Sequence, residues 1–400
     1  MANTVVRDKV LNELHDDEII AFTQQMIRFE SRNGNEGPIG QWLADEFHAL
    51  GLRVTVENVH DGRLNVIGVL PGAEEGIGLL FHGHTDTVPF LNMENPLSGE
   101  IVDGYIWGRG SCDQKGGLAG AIMALKAIVR AGVRPGKGVA VAAVIDEESE
   151  HRGSYALVDM GLKADSAIVT EPSDLRLLLG CKGTAPIQIT FHGKIAHGSN
   201  PWLGVNAVEK AAKAILALSQ MPTREVEVPP LGMVRSSINI GLINGGTAYN
   251  NVPHECSICI DRRMVPGETQ ATCLAEIQEV LDRLAAEDPD FKATMETARP
   301  DWKWDRIKKR GLNPAATSPD AAISQAVARA HEVAIGSPVE LGYTNGYMDM
   351  DFLINDLDIP TVNYGPGDTV FAHTDHERLD IDELLKATRV YALAALEMCL

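Results

Sequence analysis

The first 180 residues alternate between apolar patterns of helical period and short, continuous apolar runs. Helical spacing predicts helices over about residues 8 to 30 and 37 to 50, and strands are predicted at RVTVENV, LNVIGVL and IGLLFHGH. The run VAVAAVI, residues 139 to 145, is apolar on both faces, as expected of a central parallel strand. These patterns predict an α/β domain in which helices flank a mainly parallel sheet.

The order of elements changes near residue 181. The segments APIQITFHG, NAVEKAAKAILALSQ, SSINIGLING, ECSICIDRRM, ATCLAEIQEVLDRLAAE and FKATMETA follow as β-α-β-β-α-β, the split pattern of a ferredoxin-like domain. After about residue 297 the chain returns to Asp- and Gly-rich loops, an Ala-rich helix and a last strand, IPTVNYGPG. We therefore predict a first domain in two parts, residues 1–180 and 297–400, with an inserted α+β domain at residues 181–296.

Charge and hydropathy exclude two classes of partner. The formal net charge is −20 and no basic patch is visible, so the phosphates of a nucleic acid would be repelled. No apolar run approaches the roughly 20 residues needed to cross a bilayer, and the segment MANTVVRDKVLNELHDDE lacks the apolar core of a secretion signal. We predict a cytoplasmic protein that binds neither nucleic acid nor membrane.

The six cysteines are scattered along the chain, which favours free buried thiols over a disulfide framework. Cys256 and Cys259 form a C-x-x-C, a spacing that zinc clamps and redox sites use. Their segment is predicted to be a strand, where residues three apart point to opposite faces, and no second C-x-x-C completes a clamp. We therefore interpret this pair as free structural thiols rather than as a metal or redox site.

Acidic and imidazole side chains occur where parallel strands are predicted to end. Ligands of open α/β sheets bind outside the carboxyl ends of the strands. Imidazole nitrogens and carboxylate oxygens bind zinc-type cations, and a carboxylate can bridge a closely spaced pair. Five segments of the chain together supply two histidines and three carboxylates as ligands for two divalent ions, plus a general base. The segments are His84-Thr85-Asp86, Asp113, Asp146-Glu147-Glu148, Glu171-Pro172 and Ala372-His373.

Each motif alone permits a simpler interpretation. Asp113 could be a helix N-cap, Glu147-Glu148 a solvated turn, and His376 competes with His373. However, consecutive acids delivered by a buried strand would destabilise the fold by repulsion unless a cation were bound. This argument favours a metal site.

The order of the motifs adds a resemblance. HGHTDTVP, GRGSCDQKGG, DEES, TEP, GKIAHGSNPWLGVNAV, NVPHECSICIDRR and GPGDTVFAHTDHE resemble the successive signature segments of the M20 zinc peptidase and deacylase family. That family contains acetylornithine deacetylase, succinyl-diaminopimelate desuccinylase, aminoacylase and the glutamate carboxypeptidases. The resemblance extends from about residue 15 to the end, so it covers both predicted domains.

The resemblance implies a ligand set. It makes His84 and Glu171 ligands of one zinc ion, Glu148 and His373 ligands of the other, and Asp113 the bridge. Co²⁺ or Mn²⁺ could occupy the same ligands.

The resemblance also implies roles beside the metals. Glu147 becomes the general base, which takes a proton from a water held between the ions and passes it to the departing nitrogen. Asp86 is similar to the family carboxylate that orients the imidazole of His84. The Asp113-Gln114 bond falls where the family often has a cis peptide.

The inserted domain resembles the family's lid, which joins two chains into a homodimer. His197 would donate to the oxyanion, commonly in the partner's site, although a surface role is the alternative. Arg263 would bind the substrate carboxylate through two parallel bonds, with Arg262 as a competing candidate. Asn251 would contact the substrate.

We therefore predict a di-zinc hydrolase that cleaves the amide bond of an N-acyl amino acid or a related small carboxylate. Competing hypotheses are a di- or tripeptide exopeptidase, a hydrolytic deaminase of an activated aromatic amine, and a non-catalytic binding homologue. No charge cluster in CKGTAPIQI selects an acyl group. Trp202, Trp302 and Trp304 could line an aromatic pocket or pack in the core.

Overall fold

The computed structural model describes residues 4–297 and 302–400. Its contacts divide the chain into two compact units. The first runs to Cys181 and resumes at Ala316–Thr344 and Met348–Leu400. The second comprises Lys182–Ala315 and Asn345–Tyr347, so it extends beyond residue 296, where the sequence predicted its end.

A mixed sheet forms the centre of the first unit. Its strands lie in the order β1-β2-β6-β3-β7-β17-β8, and β16 also pairs with β8. The neighbours β6, β3, β7 and β17 are parallel, whereas β1, β2 and the β17–β8 pair are antiparallel. The strands are β1 (Arg53–His60), β2 (Arg63–Leu70), β3 (Ile77–His84), β6 (Gly138–Val144), β7 (Ala167–Val169), β8 (Leu177–Cys181), β16 (Leu341–Thr344) and β17 (Thr361–Asn363).

The central strands β3 and β6 are buried along their whole length, because elements cover both faces of the sheet. A small antiparallel sheet, in the order β18-β5-β4, lies elsewhere in the unit. Its strands are β4 (Glu100–Val102), β5 (Tyr105–Trp107) and β18 (Arg378–Asp380). The fold class predicted from the sequence, an α/β domain with a mainly parallel sheet, is confirmed.

The helix predicted over residues 8 to 30 is two helices. The chain turns at residues 12–15, and a new helix begins with Asp16, Asp17 and Glu18, whose charges favour a helix N-terminus. The helices of the first unit are α1 (Thr4–Leu11), α2 (Asp16–Arg28), α3 (Gly37–Ala49), α4 (Gly116–Arg130), α5 (Arg152–Met160), α9 (Ala322–Ile335) and α10 (Ile381–Cys399).

The second unit contains an antiparallel sheet in the order β12-β13-β9-β14. Helices α6 and α7 pack on one face through a core that includes Ile187, Ile258 and Ile277. A hairpin of β10 and β11 interrupts the predicted β-α-β-β-α-β order. The elements are α6 (Ala207–Ser219), α7 (Gln270–Glu287), α8 (Asp305–Arg310), β9 (Gly183–His192), β10 (Glu225–Val228), β11 (Gly232–Arg235), β12 (Ser237–Gly245), β13 (Glu255–Met264) and β14 (Lys292–Thr297), and β15 (Ala315–Ala316) spans the boundary in sequence.

Within residues 4–297 and 302–400, each helix is too short or too polar to span a bilayer.

Candidate metal centre and catalytic residues

Asp113 lies between the two histidines that the sequence proposes as ligands. Its Oδ1 is 3.1 Å from Nε2 of His84, and its Oδ2 is 3.1 Å from Nε2 of His373. A glutamate accompanies each imidazole. Glu171 Oε1 is 3.5 Å from His84 Nε2, and Glu148 Oε1 is 3.0 Å from His373 Nε2. The five side chains therefore form two groups of donors that share Asp113.

The topology of the sheet explains why distant residues meet here. His84 ends β3, Glu148 lies in the turn after β6, and Glu171 follows β7 by two residues. Because β6, β3 and β7 are parallel neighbours, their carboxyl ends meet at one edge. His373 comes from the loop before β18 and has a φ of +61°, which is uncommon for a residue other than glycine.

A buried ion pair that the sequence reasoning missed positions Asp113. Glu377 Oε1 accepts hydrogen bonds from the main-chain N–H groups of Cys112 (3.2 Å) and Asp113 (3.0 Å). Its Oε2 accepts from Arg109 at 2.5 Å, and both ion-pair partners are buried. The next peptide bond, Asp113-Gln114, is cis, as the resemblance implied. Arg109 stands in the Gly-rich motif, which is the one signal that could have indicated it.

Glu171 has an orienting contact that was also missed. The side-chain amide of Gln114 donates to Glu171 Oε1, and the amide oxygen accepts from Thr170 Oγ1 at 2.7 Å. This chain of hydrogen bonds fixes which carboxylate oxygen faces His84. The sequence offered only the adjacency of Gln114 to Asp113.

Asp86 differs in detail from the expectation. His84 Nδ1 is 2.8 Å from the main-chain oxygen of Asp86, whereas the carboxylate oxygen is 3.5 Å away. The carboxylate instead accepts from the main-chain N–H groups of Glu147 and Glu148, each at 3.1 Å. Because these two bonds engage the carboxylate, the main-chain oxygen makes the shorter contact with the imidazole.

Asp146, the first of the three consecutive acids, is engaged by partners outside the donor groups. Its Oδ1 accepts from Arg63 (2.6 Å) and from Asn33 (2.7 Å), and Arg63 also pairs with Glu36. The sequence reasoning did not identify these partners. Arg63 begins a strand whose later residues are largely buried, which is a weak signal of a buried ion pair.

Glu147 is a carboxylate without a hydrogen bond to any described residue. One of its oxygens lies within 4.8 Å of donor atoms of His84 and Glu171, and it also groups at that distance with His151 and Asp349. Burial raises the pKa of Glu147 well above its usual range, and the charges of Asp349 and Glu171 add to the effect. Glu147 therefore lies beside the donor groups with both oxygens available for proton transfer.

Protonation balances the charges of the cluster. Burial opposes ionisation of Asp113, but hydrogen bonds with His373 and His84 outweigh it, so the pKa of Asp113 is lowered. Hydrogen bonds to Asp113 and Glu148 raise the pKa of His373 to about 10. Burial raises the pKa of Glu171 well above its usual range. Carboxylates concentrated in this way need cations, and divalent ions can replace the protons.

His197 and Asn251 lie side by side in the second unit, where their main chains form an isolated bridge. His197 is exposed, and its Nδ1 accepts from the N–H of Ser199 at 3.2 Å. Ser199 Oγ also lies 2.7 Å from Nδ1, and when both groups of Ser199 donate to Nδ1 the neutral imidazole carries its proton on Nε2, which remains a donor.

The two candidate arginines have different surroundings. Arg262 is buried and pairs with Glu268. Arg263 is partly exposed, and within residues 4–297 and 302–400 only its Nε is engaged, with Asp261 at 3.0 Å. Arg263 is consequently the arginine that can offer its terminal nitrogens to a ligand.

The tryptophans and the cysteines of the C-x-x-C pair differ in burial. Trp202 is exposed, whereas Trp302 is buried. Cys256 is buried and Cys259 only partly so, and both are free thiols on opposite faces of β13. The prediction that the two side chains lie on a strand and point to opposite faces is confirmed.

Comparison with known proteins places this site in a family. The model of Peptidase family M20/M25/M40 matches residues 80–397. The chain is 28% identical over 405 residues to an N-formyl-4-amino-5-aminomethyl-2-methylpyrimidine deformylase of Bacillus subtilis, covering 94% of each chain. It is 28% identical over 382 residues to an acetylornithine deacetylase of Edwardsiella ictaluri, covering 91% of this chain and 93% of that one. The structure of a Staphylococcus aureus tripeptidase superposes with a TM-score of 0.79 at 26% identity, covering 96% and 99% of the two chains.

The chain belongs to peptidase family M20/M25/M40. It is therefore a metal-dependent hydrolase that acts on amide bonds, as the sequence predicted. The donor groups around Asp113 fit that metal dependence.

Proposed function

We propose that this protein is a di-zinc hydrolase that cleaves the amide bond of an N-acyl amino acid or a related small carboxylate. The observation that carries the proposal is the position of Asp113, which turns one carboxylate oxygen to each of two imidazole–carboxylate pairs. Such an arrangement suits a bridging ligand between two ions.

The donor set fits zinc. Ligands of a tetrahedral Zn²⁺ with bonds of about 2.0–2.1 Å are about 3.3 Å apart. The nitrogen–oxygen distances within the two groups range from 3.0 to 3.5 Å. His84, Glu171 and Asp113 would hold one ion, and His373, Glu148 and Asp113 the other. Co²⁺ and Mn²⁺ accept the same ligands.

Glu147 is the proposed general base. When bound, the two ions supply Lewis acidity, which polarises the carbonyl group and acidifies a water molecule. Glu147 takes a proton from that water as it attacks the carbonyl carbon, and then returns the proton to the departing nitrogen. The lack of any hydrogen bond from a described residue to its carboxylate supports this role, because both oxygens remain available.

Residues of the second unit would bind the substrate. His197 would donate from Nε2 to the carbonyl oxygen as negative charge develops there. Arg263 would bind the substrate carboxylate through its two terminal nitrogens. Asn251, whose main chain pairs with that of His197, would contact the substrate beside it.

A homodimer through the second unit is part of the proposal. Leu216 of α6 and Leu242 and Ile243 of the edge strand β12 are exposed apolar side chains, which supports a protein contact there. We also propose the cytoplasm as the compartment, because the six cysteines are free thiols.

Di- or tripeptide cleavage is the second candidate, and the resemblance to a tripeptidase structure favours it over deamination and over a non-catalytic role. Deamination of an activated aromatic amine would use the same metal groups. A non-catalytic role is disfavoured by the presence of Glu147 and of every proposed ligand.

Activity of the zinc-loaded protein distinguishes these functions. We expect turnover of N-formyl or N-acetyl amino acids to exceed that of di- and tripeptides and of aromatic amines, and to disappear in Glu147→Gln. Faster turnover of peptides would establish the exopeptidase instead. A failure to hydrolyse any amide would refute the proposal.

A further inference from the structure

Lys182 is a buried lysine without an anionic partner. It is the residue between β8 and β9, and only 7% of its surface is exposed. Within residues 4–297 and 302–400, no side chain or carbonyl group hydrogen-bonds to its ammonium group or forms an ion pair with it. Because the rest of the side chain is buried, the ammonium group is only partly hydrated, and a charge in such surroundings favours an anionic partner.

Arg263 lies beside Lys182. In the β9–β13 ladder, Gly183 pairs with Met264 and Thr184 with Arg263, so Thr184 and Arg263 lie opposite one another on one face. Lys182 precedes Thr184 by two residues, which is the spacing of same-face side chains in extended chain. Burial and the charge of Arg263 lower the pKa of Lys182, in agreement with this proximity.

The nearby carboxylate does not neutralise both cations. Asp261 binds Nε of Arg263 at 3.0 Å and accepts from Thr184 Oγ1 at 3.0 Å. Within this cluster, the single carboxylate of Asp261 therefore lies beside the two cations Arg263 and Lys182. The neighbouring Arg262 does not add to the excess, because Glu268 pairs with it.

We propose that Lys182 and Arg263 together bind the carboxylate of the substrate, with Lys182 as a second, unassigned cation of that site. Arg263 presents its two terminal nitrogens to the carboxylate, and Lys182 adds a point charge with three rotatable donors. The inference rests on the proposed function, since it names what holds the carboxylate of the N-acyl amino acid. It also makes the anionic group a requirement for binding.

The test compares each substrate with its neutral analogue. Wild type, Lys182→Met, Lys182→Arg and the control Lys213→Met are loaded with zinc. Lys213 is a suitable control because it is an exposed lysine of the same unit, on α6. Each protein is assayed with the best N-acyl amino acid and with the same compound as its carboxamide.

We expect Lys182→Met to lower kcat/KM for the carboxylate by about 10- to 100-fold, mainly through KM, the scale of a lost charged hydrogen bond. The carboxamide should be affected little, because it lacks the charge. Lys182→Arg should restore most of the loss, and Lys213→Met should match wild type. The midpoint of thermal unfolding should not fall in Lys182→Met, because no internal ion pair is lost.

Equal losses for the carboxylate and the carboxamide, or no loss for either, would overturn the assignment of Lys182 while leaving amide hydrolysis intact. If wild type hydrolyses no N-acyl amino acid, the proposed function fails, and calorimetry with succinate still tests the anion site. Succinate should then bind zinc-loaded wild type at least about tenfold more tightly than Lys182→Met, the scale of one charged hydrogen bond. Equal succinate affinities of wild type and Lys182→Met would refute the proposed anion site.

Discussion

Glu148 Oε1 lies 3.0 Å from Nε2 of His373, although 225 residues separate the two in the sequence. The contact joins the turn after β6 to the loop before β18. It closes one of the two donor groups around Asp113 in the first unit. Metal binding and catalysis are therefore expected to depend on residues from both sides of the inserted unit in the sequence.

Replacing Glu147 by Gln should separate catalysis from metal binding. The amide cannot take a proton from water, so kcat should fall by about 10²–10⁴-fold, the range for loss of general acid–base catalysis. Both metal ions should remain, because the proposed ligands are unchanged. Steady-state kinetics and elemental analysis measure the two effects.

The matched control is Glu148→Gln, at the adjacent position. It should lose metal as well as activity, because Glu148 contacts His373 in the donor group. A near wild-type rate in Glu147→Gln would place the base elsewhere.

Removal of the metal ions should destabilise the first unit as well as abolish activity. Without divalent cations, protons must balance the carboxylates of Asp113, Glu148 and Glu171, and the stability that metal binding contributes is lost. A ligand present at 100 times its dissociation constant contributes about 2.7 kcal/mol to stability. We expect a chelator to lower the midpoint of thermal unfolding, and added Zn²⁺ to restore both properties.

The same chelator should change the unfolding midpoint of Asp113→Asn much less, because that variant lacks the shared carboxylate. Full activity in protein that elemental analysis finds free of metal would contradict this prediction.

Replacing Asp86 by Ala should weaken metal binding, although Asp86 is not among the proposed ligands. Its carboxylate accepts hydrogen bonds from the main-chain N–H groups of Glu147 and Glu148, which holds the turn in place. Loss of such a support typically costs about 10–100-fold in metal affinity or activity. Metal-competition titrations should show this change, whereas Asp61→Ala, at an exposed turn, should bind metal like wild type. Unaltered affinity in Asp86→Ala would mean that the turn holds its shape without Asp86.

The sequence predicted the members of the donor cluster but not the contacts that hold them. Strand ends are visible as apolar runs that stop at an acid, which indicated Asp146 and Glu171, whereas the choice of Glu148 as a ligand came from the resemblance. Partners such as Arg63 and Glu377 are far away in the chain and have no local pattern. Their positions depend on which strands become neighbours, and no periodicity encodes that choice.

The same limit explains why the contacts of Asp86 and Lys182 could not be predicted from the sequence. The resemblance implied a contact between Asp86 and His84, but the choice between carboxylate and main-chain oxygen depends on the N–H groups of the turn after β6. Lys182 belongs to a segment in which no charge cluster is visible along the chain, because its cationic neighbour, Arg263, lies on another strand.

Glu18 should contribute to stability in a pH-dependent way. A hydrogen bond from Arg130, with a further contribution from Lys126, lowers the pKa of Glu18 from 4.5 to about 2. A lowered folded-state pKa stabilises the protein above pH 4.5, and this stability is lost as the pH falls toward 2. Because the carboxylate is 32% exposed, Glu18→Gln should cost no more than about 1 kcal/mol at pH 7.

Urea unfolding between pH 7 and pH 3.5 measures the effect, and the difference from wild type should shrink as the pH falls. Glu279→Gln, at an exposed position of α7, provides the control. A difference that stays constant over this range would show that the charge of Glu18 is not its cause.

Catalysis is expected to depend on both chains of the proposed dimer. If His197 acts in the site of the partner chain, His197→Ala and Glu147→Gln should each be nearly inactive alone. Mixed in equal amounts and allowed to exchange subunits, they should regain activity, because a heterodimer has one site with an intact Glu147 and an intact His197. Random assortment makes about half of the dimers mixed, each with one working site of two, so recovery should approach about a quarter of wild type. Mixing His197→Ala with His197→Ala/Glu147→Gln is the control and should recover nothing. If subunit exchange is demonstrated without recovery, or if a monomer is fully active, His197 acts within its own chain or has no catalytic role.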